Sequence, residues 1–260
     1  MYNPYNKYLD HLYEVVLDYR HTTSLICRIL VKDVERISRG NTISENHSAL
    51  ILSDWTGPTE KGREINQHSN KYRYTGRENY ATDIEYLIFR ECGLIYAQVF
   101  ELLEKFIQDC LYEKALKNYD LRAQILNHFK PNQPISRAKM PGGENLFKLL
   151  KKAAPRYYKN HSTSNNLNID FKNFWCVISE SRHALTHNRG YLQATKLKGH
   201  EQEKIFHQYF NNIQFQSDFF IIQLDTENLT YLTKRISEFA FQIYKIISLE
   251  DGFDWKYLKD

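Results

Sequence analysis

The sequence predicts an all-α fold carrying a small β-hairpin, and three observations support that expectation. Apolar residues recur at steps of three and four through most of the 260 residues. A hydrophobic content of 42% is enough for a sizeable core. A β-hairpin pattern is clearest in one short stretch late in the chain. No apolar run reaches the ~18 residues that a membrane-spanning helix needs, and Met1-Tyr2-Asn3-Pro4-Tyr5 lacks a basic start followed by an apolar stretch. The expectation is therefore a cytoplasmic protein with no membrane segment.

The first helix is predicted from about Pro4 to Arg20, with Leu9, Leu12, Val15 and Val16 on its core side. A second is expected to start at Ser24 as N-cap, bury Ile26, Ile29, Leu30, Val34 and Ile37, and close at Gly40. Helical period is then lost from residue 41 to 82. Ser48 to Trp55 reads as a short strand or a buried loop, and Thr56-Gly57-Pro58 as a turn. Lys71-Tyr72-Arg73-Tyr74, with Arg77 and Tyr80, interleaves cations and aromatics as single-strand binders do, or else docks a loop on the core through its tyrosines. From Ile84 the series Ile88, Cys92, Ile95, Val99, Leu102, Phe106 and Cys110 marks a long helix ending near Asn118. Leu121 to Phe129 is a short helix, Pro131 to Gly143 a connection, and Glu144 to Ala153 a helix stopped by Pro155. Residues 159 to 168 form a polar loop leading to a helix that Asp170 caps. A polar stretch follows Gly190 up to about Asn212. Ile213 to Gln216 and Phe219 to Leu224 then form the hairpin around Ser217-Asp218, and Asp225 caps a last helix along Leu229, Leu232, Ile236, Phe239, Ala240, Ile243 and Ile246. The boundaries drawn are an extension over 1–83, a helical domain over 84–250 and a tail over 251–260. The four cysteines, Cys27, Cys92, Cys110 and Cys176, lie far apart in apolar patterns and read as buried thiols.

Charge is unevenly distributed. Lys130, Arg137, Lys139, Lys148, Lys151, Lys152, Arg156 and Lys159 face one acid, Glu144, between residues 130 and 160, a local net of +7. The rest of the chain holds 27 basic and 30 acidic residues, a net of −3. This is either a solvated face or the footprint of a phosphate-backbone binder, with Lys148, Lys151, Lys152 and Arg156 as contacts and Tyr157 and Tyr158 as stacking surfaces.

Glu180-Ser181-Arg182-His183-Ala184-Leu185-Thr186-His187-Asn188-Arg189-Gly190 concentrates chemistry at one helix end. Phe171, Phe174, Trp175 and Ile178 continue on the same stripe to Arg182 and Leu185, so Arg182 lands on an apolar face and must snorkel or find an anionic partner. Glu104, at the edge of the long helix's stripe, is a candidate for that partner. His187 sits in a last turn that Gly190 caps, where the carbonyl end of the helix dipole favours positive charge. Arg182 and His187 lie about 7.5 Å apart along the axis and about 140° apart around it, so one helix does not aim both at a single small target. Basic residues there are also what capping alone selects. His183 and His187, at i and i+4, share a face and could ligate zinc, but no glutamate follows His183 and no third ligand accompanies them. The chain has no phosphate-cradling glycine loop, serine-nucleophile elbow or zinc-finger spacing, and no cofactor is expected.

The helix written Gly93-Leu-Ile-Tyr-Ala-Gln-Val-Phe-Glu-Leu-Leu-Glu-Lys-Phe-Ile107, then Glu180-x-Arg182-His183-x-x-x-His187, then a final apolar helix, resembles the HEPN superfamily over about residues 84–248. The resemblance implies a four- to five-helix bundle with an Rx4-6H motif near the end of its third core helix. It implies a metal-independent endoribonuclease of a toxin–antitoxin or anti-phage type, working as a homodimer with its sites at the interface and held in check by an antitoxin or inhibitor protein. Arg182 would hold the scissile phosphate of RNA. His187 would move the proton of the 2′-hydroxyl or of the leaving 5′-oxygen, giving a 2′,3′-cyclic phosphate. Glu180, His183 and Asn188 would support them. His183 stands where many members carry asparagine. A non-catalytic RNA-binding or interaction module, and a metal-dependent hydrolase using His183 and His187, remain as alternatives.

Overall fold

A computed structural model describes residues 2–40, 46–53, 66–127, 134–211 and 213–256. The elements in chain order are α1 (Asn6–Arg39), β1 (Asn46–Ser53), β2 (Asn66–Thr75), α2 (Tyr80–Ala115), α3 (Tyr119–Asn127), α4 (Gly143–Ala153) and α5 (Pro155–Thr163). Then come α6 (Phe171–His187), β3 (Tyr191–Gln193), α7 (His200–Tyr209), β4 (Ile213–Gln216), β5 (Phe219–Ile222) and α8 (Thr226–Glu250). The described residues are mostly helical, but they carry two small antiparallel sheets rather than one hairpin: β1-β2, and a three-stranded sheet in the order β3-β5-β4. The turn read at Thr56 to Pro58, the end of the short helix at Phe129, Lys130, and residues 257–260 lie outside the described residues. No helix among those described is long and apolar enough to cross a membrane.

Contacts divide the chain into two units, Met1–Ser24 with Phe89–Asp260, and Leu25–Ile88. The start of α1 is thus grouped with residues 89–260, where the sequence reading set residues 1–83 apart as an extension. Asn3 Nδ2 donates to Tyr244 Oη at 3.0 Å, to Ser248 Oγ at 2.8 Å and to the Asp254 carbonyl at 3.0 Å. The Tyr5 hydroxyl and Lys114 Nζ both bond Asp251, so the supposed tail begins as part of the core. Burial, and next the bond to Asp251, push the Tyr5 hydroxyl far above its usual range.

Four further expectations change. The two N-terminal helices are one, since Ser24 lies inside α1 and the Thr23 hydroxyl returns to the Tyr19 carbonyl at 2.7 Å instead of opening a new helix. Pro155 begins α5, where its missing N–H is harmless, so the loop drawn over 159–168 is helical to Thr163. The stretch after Gly190 contains β3 and α7. Residues 66–75 form β2, in which Tyr72 is 81% exposed rather than docked.

Within the smaller unit, β1 pairs with β2 from Asn46↔Thr75 to Ser53↔Asn66, with a register shift between Ala49 and Ile51. Thr75 Oγ1 donates to Asp83 at 2.6 Å, Arg73 pairs with the same carboxylate at 3.5 Å, and the Tyr80 hydroxyl bonds Asp33.

The larger unit is centred on α6. Its N-cap Asp170 accepts from the Asn173 N–H at 2.9 Å. Phe171, Phe174, Trp175, Val177 and Ile178 are buried, with Trp175 stacked on Phe147 of α4 at 5.2 Å and Phe174 edge-on to Phe239 of α8 at 5.0 Å. α2 comes close because Gly93 has no side chain: a Cβ there would meet Leu185 Cδ2 at 3.2 Å. The buried Tyr96 hydroxyl donates to the Ile178 carbonyl at 2.9 Å, tying α2 to α6. Cys27, Cys92 and Cys110 are buried thiols and Cys176 is half-buried.

Candidate active site

The end of α6 turns sharply into the three-stranded sheet. Asn188 is the C-cap, Arg189 adopts φ 54° and Gly190 φ 86°, and the Gly190 N–H returns to the Ala184 carbonyl at 2.9 Å. A Cβ on Gly190 would lie 2.7 Å from the Ile222 carbonyl oxygen, so a glycine is required for the chain to leave the helix and enter β3. β3 then pairs with β5 from Tyr191↔Ile221 to Gln193↔Phe219. The β4-β5 turn at Ser217 and Asp218 takes φ 44° and 70°, the left-handed pair that a tight hairpin demands.

Between helix end and sheet opens a cleft of about 550 Å³. Glu180, His183, His187 and Asn188 line it from α6 and its cap. The His183 and His187 rings are exposed, with centroids 4.9 Å apart. Arg189, Tyr191, Gln193, Lys196 and Phe219 complete the wall. Arg189 and Lys196 bring positive charge, while Tyr191 and Phe219, edge to face at 6.3 Å, bring a partly exposed aromatic surface. Apart from Arg189, which stands in the motif itself, these residues were missed in the sequence. The only local signal for them was the glycine that ends the helix.

Arg182 is not part of this wall. It lies on the α2 side of the helix, its Nη2 3.7 Å from Glu104 and its guanidinium 5.2 Å from the Phe100 ring centroid. Glu104 is fixed in turn, because its Oε1 accepts from the Gly143 N–H at 2.7 Å. The Arg182 side chain is 23% exposed and that of Glu104 16%, so the pair is largely shielded from water. Arg182 Nε is buried and has no hydrogen-bond partner among the described residues. The proposed Glu104–Arg182 pairing is therefore present, and Arg182 and His187 diverge within one chain as helix geometry requires.

None of the six residues assigned to RNA binding lines the cleft. Lys148 is exposed and pairs with Glu144 at 3.1 Å. Lys151, Lys152 and Arg156 are exposed, Lys151 lying over the Tyr158 ring at 5.1 Å and Arg156 over Tyr157 at 5.3 Å. Tyr158 is corrected from a stacking surface to a core residue: it is 6% exposed and packs edge-on against Phe147 and Phe171. Burial raises its hydroxyl to about 12. Tyr157 is the half-buried member of the two.

Among the described residues no three His, Cys, Asp or Glu side chains stand together in a way that could hold a metal ion, so His183 and His187 have no third protein ligand there. No protein-family model, curated protein or solved structure matches this chain.

Proposed function

We propose that the protein is a metal-independent endoribonuclease of the HEPN type, and the observation that carries this reading is the exposed His183–His187 pair at the wall of a cleft that also holds Arg189 and Lys196. RNA supplies its own nucleophile. One imidazole takes the proton of a 2′-hydroxyl and an imidazole returns one to the departing 5′-oxygen, leaving a 2′,3′-cyclic phosphate and a 5′-hydroxyl. His187 is the principal group, with His183 one turn before it as the second proton carrier. Arg189 and Lys196 hold the phosphate and offset the charge that develops on its oxygens. Tyr191 and Phe219 offer flat faces to unstacked bases. Asn188 and Glu180 border the same space and orient its donors.

In the homodimer implied by the HEPN resemblance, the scissile phosphate lies between two α6 ends, and Arg182 reaches it only by leaving Glu104. A role in phage defence or as a toxin with a cognate antitoxin follows from the same resemblance. The exposed cations of α4 and α5 supply a secondary RNA-contacting face.

The test is cleavage of a mixed RNA pool in excess EDTA by the parent and by folded His187→Ala and Arg182→Ala variants. The expected result is cleavage by the parent, with 2′,3′-cyclic phosphate ends, and loss in His187→Ala. Equal cutting by all three places the activity elsewhere. No cutting by any, with or without added divalent metal, leaves a non-catalytic binding module.

A further inference from the structure

The three-stranded sheet turns one face to the core, where Leu192, Phe220 and Ile222 are buried, and leaves the other open. Residues directly opposite across an antiparallel ladder share a face, so the register fixes what stands on the open one. Gln193 is opposite Phe219, which is opposite Gln216 on the far strand. Tyr191 is likewise opposite Ile221, which is opposite Gln214. The open face is thus two rows, Gln193-Phe219-Gln216 and Tyr191-Ile221-Gln214. Five of these side chains are exposed and Ile221 is partly so. None of the six carries a charge.

Phe219 is the centre of the first row, with an amide on each side at about 5 Å between Cβ atoms. Its ring meets that of Tyr191 with centroids 6.3 Å apart and planes at 77°, so the two form one aromatic surface. The side-chain amides of Gln193, Gln214 and Gln216 make no hydrogen bond among the described residues. Each therefore keeps two donors and an acceptor for a ligand. Tyr191, Gln193 and Phe219 also line the cleft, whose other wall holds His183 and His187 and which contains Arg189 and Lys196. An uncharged face of rings and amides does not hold a phosphate. It suits a flat ring with a hydrogen-bonding edge, lying beside the cations that take the phosphate.

The residue types also discriminate among bases. An arginine or lysine matches the two acceptors of guanine, a carboxylate matches the amino group of cytosine, and a glutamine amide matches adenine, whose N6 donates and N7 accepts. Adenine also brings a two-ring surface to stack. We infer that the open face of the sheet chooses the cleavage site: an unpaired adenine stacks on Phe219 beside Tyr191, and Gln193 reads its N6 and N7. Gln214 and Gln216 extend the same surface toward the neighbouring nucleotide. This specificity deepens the ribonuclease reading and rests on it for the scissile bond, while the choice of base is measurable without any cutting.

The test is fluorescence anisotropy of the full chain with oligouridine strands about a dozen nucleotides long, each carrying adenine, guanine, cytosine or uracil at one central position. Every 2′-hydroxyl is methylated, so none of the strands can be cut. The adenine strand is expected to bind tighter than the other three by about five-fold or more. Phe219→Ala should weaken that strand by about five-fold or more through lost stacking. Gln193→Glu should move the preference to cytosine, whose amino group donates to a carboxylate, whereas a merely structural glutamine would leave the order of bases unchanged. Because Gln193 is exposed, that variant should melt within about 2 °C of the parent. The inference is overturned if the four strands bind within about two-fold of one another, if none binds below about 1 mM, or if Gln193→Glu still prefers adenine. Adenine-selective binding without cleavage of unmethylated RNA upholds the choice of base and removes the ribonuclease. Cleavage with no preference among bases does the reverse.

Discussion

The two faces of α6 differ in what their charged and polar groups have left to do. On the α2 side Arg182 meets Glu104 and Phe100, and Glu104 is held by the α4 backbone. On the sheet side His183 and His187 are exposed and face a cleft. A charge answered within the fold anchors it, and an imidazole left open to solvent is available to a ligand. The R-x4-H spacing alone makes the two residues look equivalent, whereas in the structure Arg182 is paired with Glu104 and His187 is exposed.

Substitutions on the two faces sharpen that contrast. His187→Ala should lower RNA cleavage by about 10²- to 10⁴-fold while leaving the melting temperature near the parent's, because an exposed ring contributes little packing. A cleavage rate within a few fold of the parent would break the comparison at once. Arg182→Ala should cost about 2 kcal/mol and lower the melting temperature by about 6 °C, less than a fully buried pair because both side chains retain some water. Glu104→Gln combined with Arg182→Met should cost less than the two single changes added, which a double-mutant cycle by urea denaturation measures. Strict additivity would show that the two residues do not act as a pair. Gly190→Ala should cost about 1–3 kcal/mol through its positive φ and the clash with the Ile222 carbonyl, and should also reduce cleavage by shifting Tyr191 and Gln193. The smallest effect belongs to the basic face of α4 and α5. Arg156→Ala should leave stability within about 0.5 kcal/mol, weaken RNA binding about two-fold and reduce the slope of log K against log salt by about 0.7.

Much of this was legible in the sequence where the cause is local. Asp170 and Asp225 cap α6 and α8 as their positions before apolar periods predict, accepting from the Asn173 and Asn228 N–H groups. Ser217-Asp218 turns the expected hairpin. What escaped depends on partners distant in sequence or on polar residues doing apolar work. β3 is only three residues long and exists because Phe219 to Ile221 lie beside it. α7 has a helical stripe at Gln202, Ile205, Phe206 and Tyr209, but its first member is a glutamine, 6% exposed. That side chain accepts from the Lys198 N–H at 2.8 Å and donates to Asn173 Oδ1 at 3.2 Å, which hydrophobicity alone does not reveal. The site was half legible. Helix spacing put His183 and His187 on one face and Arg182 on another, whereas the far wall of the cleft comes from the unforeseen sheet.

The hydrogen bonds of Asn3 set an order of events during synthesis. Its acceptors lie 241, 245 and 251 residues downstream, so the segment before α1 stays unpaired until α8 has been made. At about 5–20 residues per second the interval is on the order of tens of seconds. Through that time Leu9, Leu12 and Val16, which the finished protein buries, belong to a chain whose closing segment does not yet exist. A nascent chain of this design depends on slow aggregation or on chaperone cover, and its yield should respond more to the rate of translation than its final stability would suggest.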